Sequence, residues 1–66
     1  MILHSTPLPK TGAPATRALN EFGITSLEQL TGYSEEEILS LHGMGPKAFG
    51  ILKAALEERG LAFKRY

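Results

Sequence analysis

Apolar residues along the chain fall into four blocks at helical spacing, with glycine or proline at nearly every boundary between them. In the first block Ala15, Ala18, Leu19 and Phe22 recur at three- and four-residue steps and make one stripe. Pro14 suits a first helical position, where its missing N–H costs nothing, and Gly23 suits the stop. The pattern predicts a helix over 14–22. Ser26 followed by Gln29 has the form of a capping box ahead of a brief helix carrying Leu27 and Leu30, closed by Gly32. Ser34 followed by Glu37 repeats the device for a third helix that brings Ile38, Leu39 and Leu41 to the core. Glu35, Glu36 and Glu37 then fall in its first turn, where the helix dipole favours acids, so this run reads as capping and not as catalysis.

The fourth block is the longest, Pro46 to Arg59, ended by Gly60, with Phe49, Leu52, Ala55 and Leu56 as its stripe and Ala48 and Ile51 beside it. Gly50 sits inside this helix at a cost of about 1 kcal/mol relative to Ala, which predicts another backbone packed closely there. Leu61 and Phe63 are expected to fold back on the helix. No period-two alternation indicates a strand. Before the first helix, Pro7 and Pro9 predict an extended arm with Ile2, Leu3 and Leu8 against the core. The expected organisation is an arm over 1–13, one helical domain over 14–63, and a tail over 64–66 running into solvent.

Composition narrows the chemistry. A chain of 66 residues builds one domain, and the absence of Cys removes disulfides, thiolate zinc sites and cysteine nucleophiles together. All seven acidic residues are Glu, and the two histidines, His4 and His42, have no further ligands at metal-site spacing. No nucleophile, base and orienting group can be assembled, so the reading is non-enzymatic, without cofactor or metal. The apolar runs are too short to span a membrane and no signal peptide is evident, which makes the expected location cytoplasmic. Net charge is zero, so any attraction to nucleic acid has to come from local clustering.

One segment has local chemistry of that kind: Leu41-His42-Gly43-Met44-Gly45-Pro46-Lys47-Ala48. Two glycines flank a single apolar residue, Met44, which can plug into the core while the glycines supply positive φ and leave the backbone bare. The next helix starts at once, so its free N–H groups and the Lys47 ammonium meet at the surface as an anion site the size of one phosphate. His42 stands beside it, either adding charge when protonated or covering the helix end. Gly12-Ala13-Pro14-Ala15-Thr16-Arg17 echoes the segment, with a glycine and a proline ahead of a helix bearing a cation in its first turns. If the two ends face one duplex, Lys10, Arg17, His42 and Lys47 gather on one side, with Glu28, Glu35, Glu36 and Glu37 opposite.

The segment resembles the helix-hairpin-helix motif, and from about Pro14 to Phe63 the chain is similar to the C-terminal domain of the bacterial RNA polymerase alpha subunit. The likeness lies in helix order, loop lengths and the closing Arg59-Gly60-Leu61. It implies an all-α, compact four-helix domain of the SAM-like class. The function it implies is a transcription-related module that grips double-stranded DNA across the minor groove, weakly and with low sequence specificity. By position, Gly43, Gly45 and Lys47 fall on DNA-contacting places in the hairpin and Arg17 on a polar contact place in the first helix, and the neighbouring His42, Met44 and Ala48 complete the expected DNA-binding set. The chain departs from the family where Pro14 replaces an arginine, Gly43 an asparagine and Ala48 a serine, which removes side chains used in the minor groove and leaves the phosphate backbone. The alternative is a protein-interaction module of the same fold, using positions such as Tyr33 and Ile51.

Overall fold

The computed structural model describes residues 6–65. Four helices occur in it, α1 (Ala13–Glu21), α2 (Leu27–Leu30), α3 (Glu35–Leu39) and α4 (Pro46–Glu58), and no strand beyond two isolated bridges among the described residues. Leu19, Ile24, Leu30, Ile38, Leu52 and Leu56 are fully buried, and α4 packs against α2 and α3. The helix that buries the longest apolar stripe therefore carries the shorter ones.

Helix ends follow the local chemistry. Both long helices close in the same way. Ile24 N–H reaches back to the Leu19 carbonyl at 2.8 Å and Gly23 N–H to Asn20 at 3.1 Å; after α4, Leu61 N–H reaches Leu56 at 2.8 Å and Gly60 N–H reaches Glu57 at 3.0 Å. Gly23 and Gly60 take positive φ to allow it, and the apolar residue after each glycine lies down on the turn it has closed. At α3, Ser34 Oγ accepts from Glu37 N–H at 3.2 Å while Glu37 Oε1 accepts from Ser34 N–H at 2.9 Å. Gln29 ties α2 to the preceding loop, its Oε1 accepting from the N–H groups of Thr25 and Ser26 and its Nε2 donating to the Gly23 carbonyl.

Several expectations are corrected. Phe22 leaves the core and stands 44 % exposed, its ring 5.1 Å from that of Tyr33. It is the last residue before the left-handed turn, so its side chain has swung off the stripe. Leu39 is likewise 44 % exposed, because a five-residue helix has one buried position and Ile38 takes it. The tail is tied down at its first residue: Lys64 N–H donates to the Tyr33 carbonyl at 2.8 Å, and Phe63 is buried and stacked on Phe49, with ring centroids 5.1 Å apart. In the arm Leu8 packs on the core, while Ile2 and Leu3 lie outside the described residues. Thr6 is anchored by its N–H and hydroxyl, both donated to the Glu28 carboxylate at 2.8 and 2.7 Å.

Gly50 does not serve close packing: a Cβ built there meets nothing within 4 Å, and the residue is exposed. Its helix cost is therefore uncompensated, and Gly50→Ala should stabilise the fold by about 1 kcal/mol, raising Tm by roughly 4–8 °C in thermal unfolding. No gain, or a loss, would mean that the helix is already strained there.

The Glu28 carboxyl is held below the ordinary 4.5, chiefly by the Thr6 hydroxyl, then by the Thr6 and Glu28 backbone amides, with Arg59 adding positive charge. Because the folded value lies under the unfolded one, the arm's attachment is complete above pH 4.5 and is lost as pH falls through the lower folded value. The Thr6 amide shift, followed by NMR, should titrate with a midpoint under 4.5, and Thr6→Ala should move the Glu28 midpoint upward. A Thr6 midpoint at or above the ordinary value would contradict the anchor.

Candidate nucleic-acid interface

The hairpin runs from Ser40, the last residue capping α3, to Gly45, the N-cap of α4. Met44 N–H closes its turn onto the Leu41 carbonyl at 3.0 Å, and the Met44 side chain is buried. Gly43 takes φ +96°, and its α-carbon lies against the start of α1: a Cβ there would stand 2.8 Å from the Pro14 carbonyl oxygen. That distance is shorter than any side chain tolerates, and what it meets is backbone. The close approach sought at Gly50 is made at Gly43. Gly45, expected to share the positive φ, has φ −94° in extended backbone with open space around it.

The Gly43 contact brings the two echoing segments together. The first intrahelical bond of α1 runs from Thr16 N–H to the Gly12 carbonyl at 3.0 Å, and that of α4 from Phe49 N–H to Gly45 at 2.9 Å. Ahead of them the N–H groups of Ala13 and Ala15 in α1, and of Lys47 and Ala48 in α4, have no helical acceptor, while Pro14 and Pro46 have no N–H to satisfy. Neither end has a side-chain cap or an acid in its first turn, whereas α3 has both a serine cap and three glutamates. The positive ends of the two longest helices thus open at neighbouring places on one surface.

Arg17, His42 and Lys47 are exposed, as is Lys10 at the end of the arm. Lys10, Arg17 and Lys47 form no ion pair among the described residues, in contrast to Lys53, which lies 3.4 Å from Glu35. On the outer face of α1, Ala13, Thr16, Arg17, Asn20 and Glu21 line a shallow hollow, so one carboxylate marks its far end. Met44 and Ala48, placed by the sequence among the contact residues, are 8 % and 7 % exposed. Their side chains belong to the core, and Ala48 offers an outside ligand its backbone N–H alone. His4 lies outside the described residues, and no cluster of three metal-ligating side chains occurs among those described.

A second concavity, of about 490 Å³, lies between the start of α3, the second half of α4 and the tail. Glu35, Glu36 and Glu57 share its walls with Lys53, Lys64 and Arg65 over a floor that includes Leu56 and Phe63. Its mixed charges favour no anion. No helix among the described residues is long and apolar enough to cross a membrane. The chain matches no protein-family model, no curated protein and no solved structure.

Sequence reasoning missed Pro14 as a structural partner, since a contact between a glycine and a carbonyl 29 positions earlier leaves no periodic trace. It is testable directly. Gly43→Ala should cost about 1–3 kcal/mol from the left-handed backbone alone, and its largest amide shifts should include Ala13 and Ala15. Wild-type stability with shifts confined to residues 41–47 would separate the hairpin from α1.

Proposed function

We propose that the protein is a small non-enzymatic DNA-binding module whose hairpin and α1 start contact the phosphate backbone of a duplex across its minor groove. The observation that supports this reading is the seating of Gly43 on Pro14, which sets two uncapped, acid-free helix starts side by side. Backbone N–H groups at helix starts bind phosphate oxygens, and unpaired Arg17 and Lys47 add charge where the dipoles already favour an anion. The resemblance to the polymerase alpha C-terminal domain points the same way. Base readout needs side-chain donors and acceptors, and Ala13, Pro14, Gly43, Gly45 and Pro46 bring none, so binding is weak and of low sequence specificity.

A second reading, a protein-interaction module, gains from Phe22 and Leu39, the two exposed large apolar residues among those described. Tyr33 and Ile51 are half-buried and fit that role less well.

Titration of a short duplex at two salt concentrations separates the two. Affinity should fall as salt rises, with a log–log slope of about −0.9 per phosphate contact. Lys47→Glu and Arg17→Glu should each weaken binding and reduce the slope by about one contact, with Lys53→Glu mattering much less. Duplexes of A·T and of G·C pairs should bind alike. Equal losses in all three variants would reduce the interaction to diffuse attraction, and no amide shift at Gly43, Gly45 or Lys47 with excess DNA at low salt would favour the interaction module.

A further inference from the structure

Among the described residues, most of the polar attachment of the arm to the domain is made by Thr6. Thr6 gives its N–H to Glu28 Oε1 at 2.8 Å and its hydroxyl to Glu28 Oε2 at 2.7 Å, and its carbonyl accepts from Leu27 N–H at 2.9 Å. Pro7 pairs with Ser26, and Leu8 lies on the rim of the core. The Pro7–Ser26 bridge and the packing of Leu8 share this hold, and further along the Thr11 hydroxyl is 3.5 Å from that of Thr16. The Glu28 carboxylate thus clamps the start of a strap that leads through Lys10 and Gly12 into α1, beside the backbone pairing of Thr6 and Pro7.

We propose that residues 6–12 form a releasable strap latched by Glu28, and that phosphorylation of Thr6 opens it. The Thr6 hydroxyl gives its proton to the catalytic base of a protein kinase and forms a P–O bond to the γ-phosphorus of a nucleoside triphosphate, while the bond to the departing nucleoside diphosphate breaks. The latch fails for two physical reasons. The hydroxyl proton that Glu28 Oε2 accepts is gone, and a group of about −1.5 to −2 charges at pH 7 stands against a carboxylate. Thr6 sits at the end of the described chain, partly exposed and directly before exposed Pro7, in the extended setting that a residue before proline prefers. This Thr-Pro step is the kind of site that proline-directed kinases accept. Opening uncovers the core rim beneath Leu8 and frees the approach to α1.

A chain of 66 residues is within reach of chemical synthesis, so the protein phosphorylated at Thr6 can be compared with the unmodified one by hydrogen exchange. Leu27 N–H, whose acceptor is the Thr6 carbonyl, should exchange roughly tenfold to a hundredfold faster, the loss expected of a hydrogen bond to a charged group. Leu52, in the core, should keep its protection. Phosphorylation in a Glu28→Gln background should recover most of the Leu27 protection, because the amide can donate to the phosphate. Unchanged exchange at Leu27 would overturn the proposal, as when the phosphate turns onto Arg59 and the arm stays docked. Equal acceleration with Glu28 and with Gln at that position would place the effect outside the latch. Loss of protection at Leu52 as well would make the arm an integral part of the fold and not a strap.

Discussion

A missing side chain sets the geometry of the candidate interface. The hairpin can rest on the first turn of α1 because Gly43 presents an α-carbon where any other residue would drive a Cβ to 2.8 Å from the Pro14 carbonyl oxygen. Its positive φ turns the chain towards that contact and lets Met44 enter the core from the same turn. The contact also fixes where α4 begins relative to α1. Two helix starts that are separate in the sequence are thereby linked through the hairpin, each with first-turn N–H groups that have no helical acceptor.

The two kinds of helix start divide the work. At α2 and α3, side chains of Gln29, Ser34 and Glu37 take up some of the backbone donors, and these short helices bury Leu27, Leu30 and Ile38. At α1 and α4, glycine N-caps and early prolines reduce the number of donors without filling those that remain. Charge follows the same division. Glu35 to Glu37 surround a capped end, while Arg17 and Lys47 stand near open ones, which allows a chain of zero net charge to carry a locally positive face.

Legibility in the sequence tracks the range of the interaction. The helix count, both long-helix stops and the α3 capping box were readable because each depends on residues within six positions, as in Phe22-Gly23-Ile24 or Ser34 to Glu37. The inward direction of Met44 was readable from its isolation between glycines. Phe22 was misplaced because its spacing fits the α1 stripe while its backbone already belongs to the turn that ends the helix. Gly50 was misread for a related reason: an interior glycine announces a cost, and nothing local says whether a neighbour offsets it. The Thr6 anchor left no pattern, since Thr6 and Glu28 are 22 positions apart and either is an ordinary surface residue alone.

The sequence by itself determined where helices start and stop to within about a residue, which starts are capped, and most of the apolar residues that fill the core, because these follow from backbone hydrogen bonding and side-chain spacing over one or two turns. Only the tertiary structure decided that the α1 start and the hairpin lie together, that among the described residues Lys53 is paired while Arg17 and Lys47 are not, and that Ala48 faces inward beside Met44. These are relations between surfaces brought together by burial of Leu19, Ile38, Leu52 and Leu56. Burial is non-directional, so the composition of a core does not specify which backbone ends it will set side by side; the shape of the packed chain does.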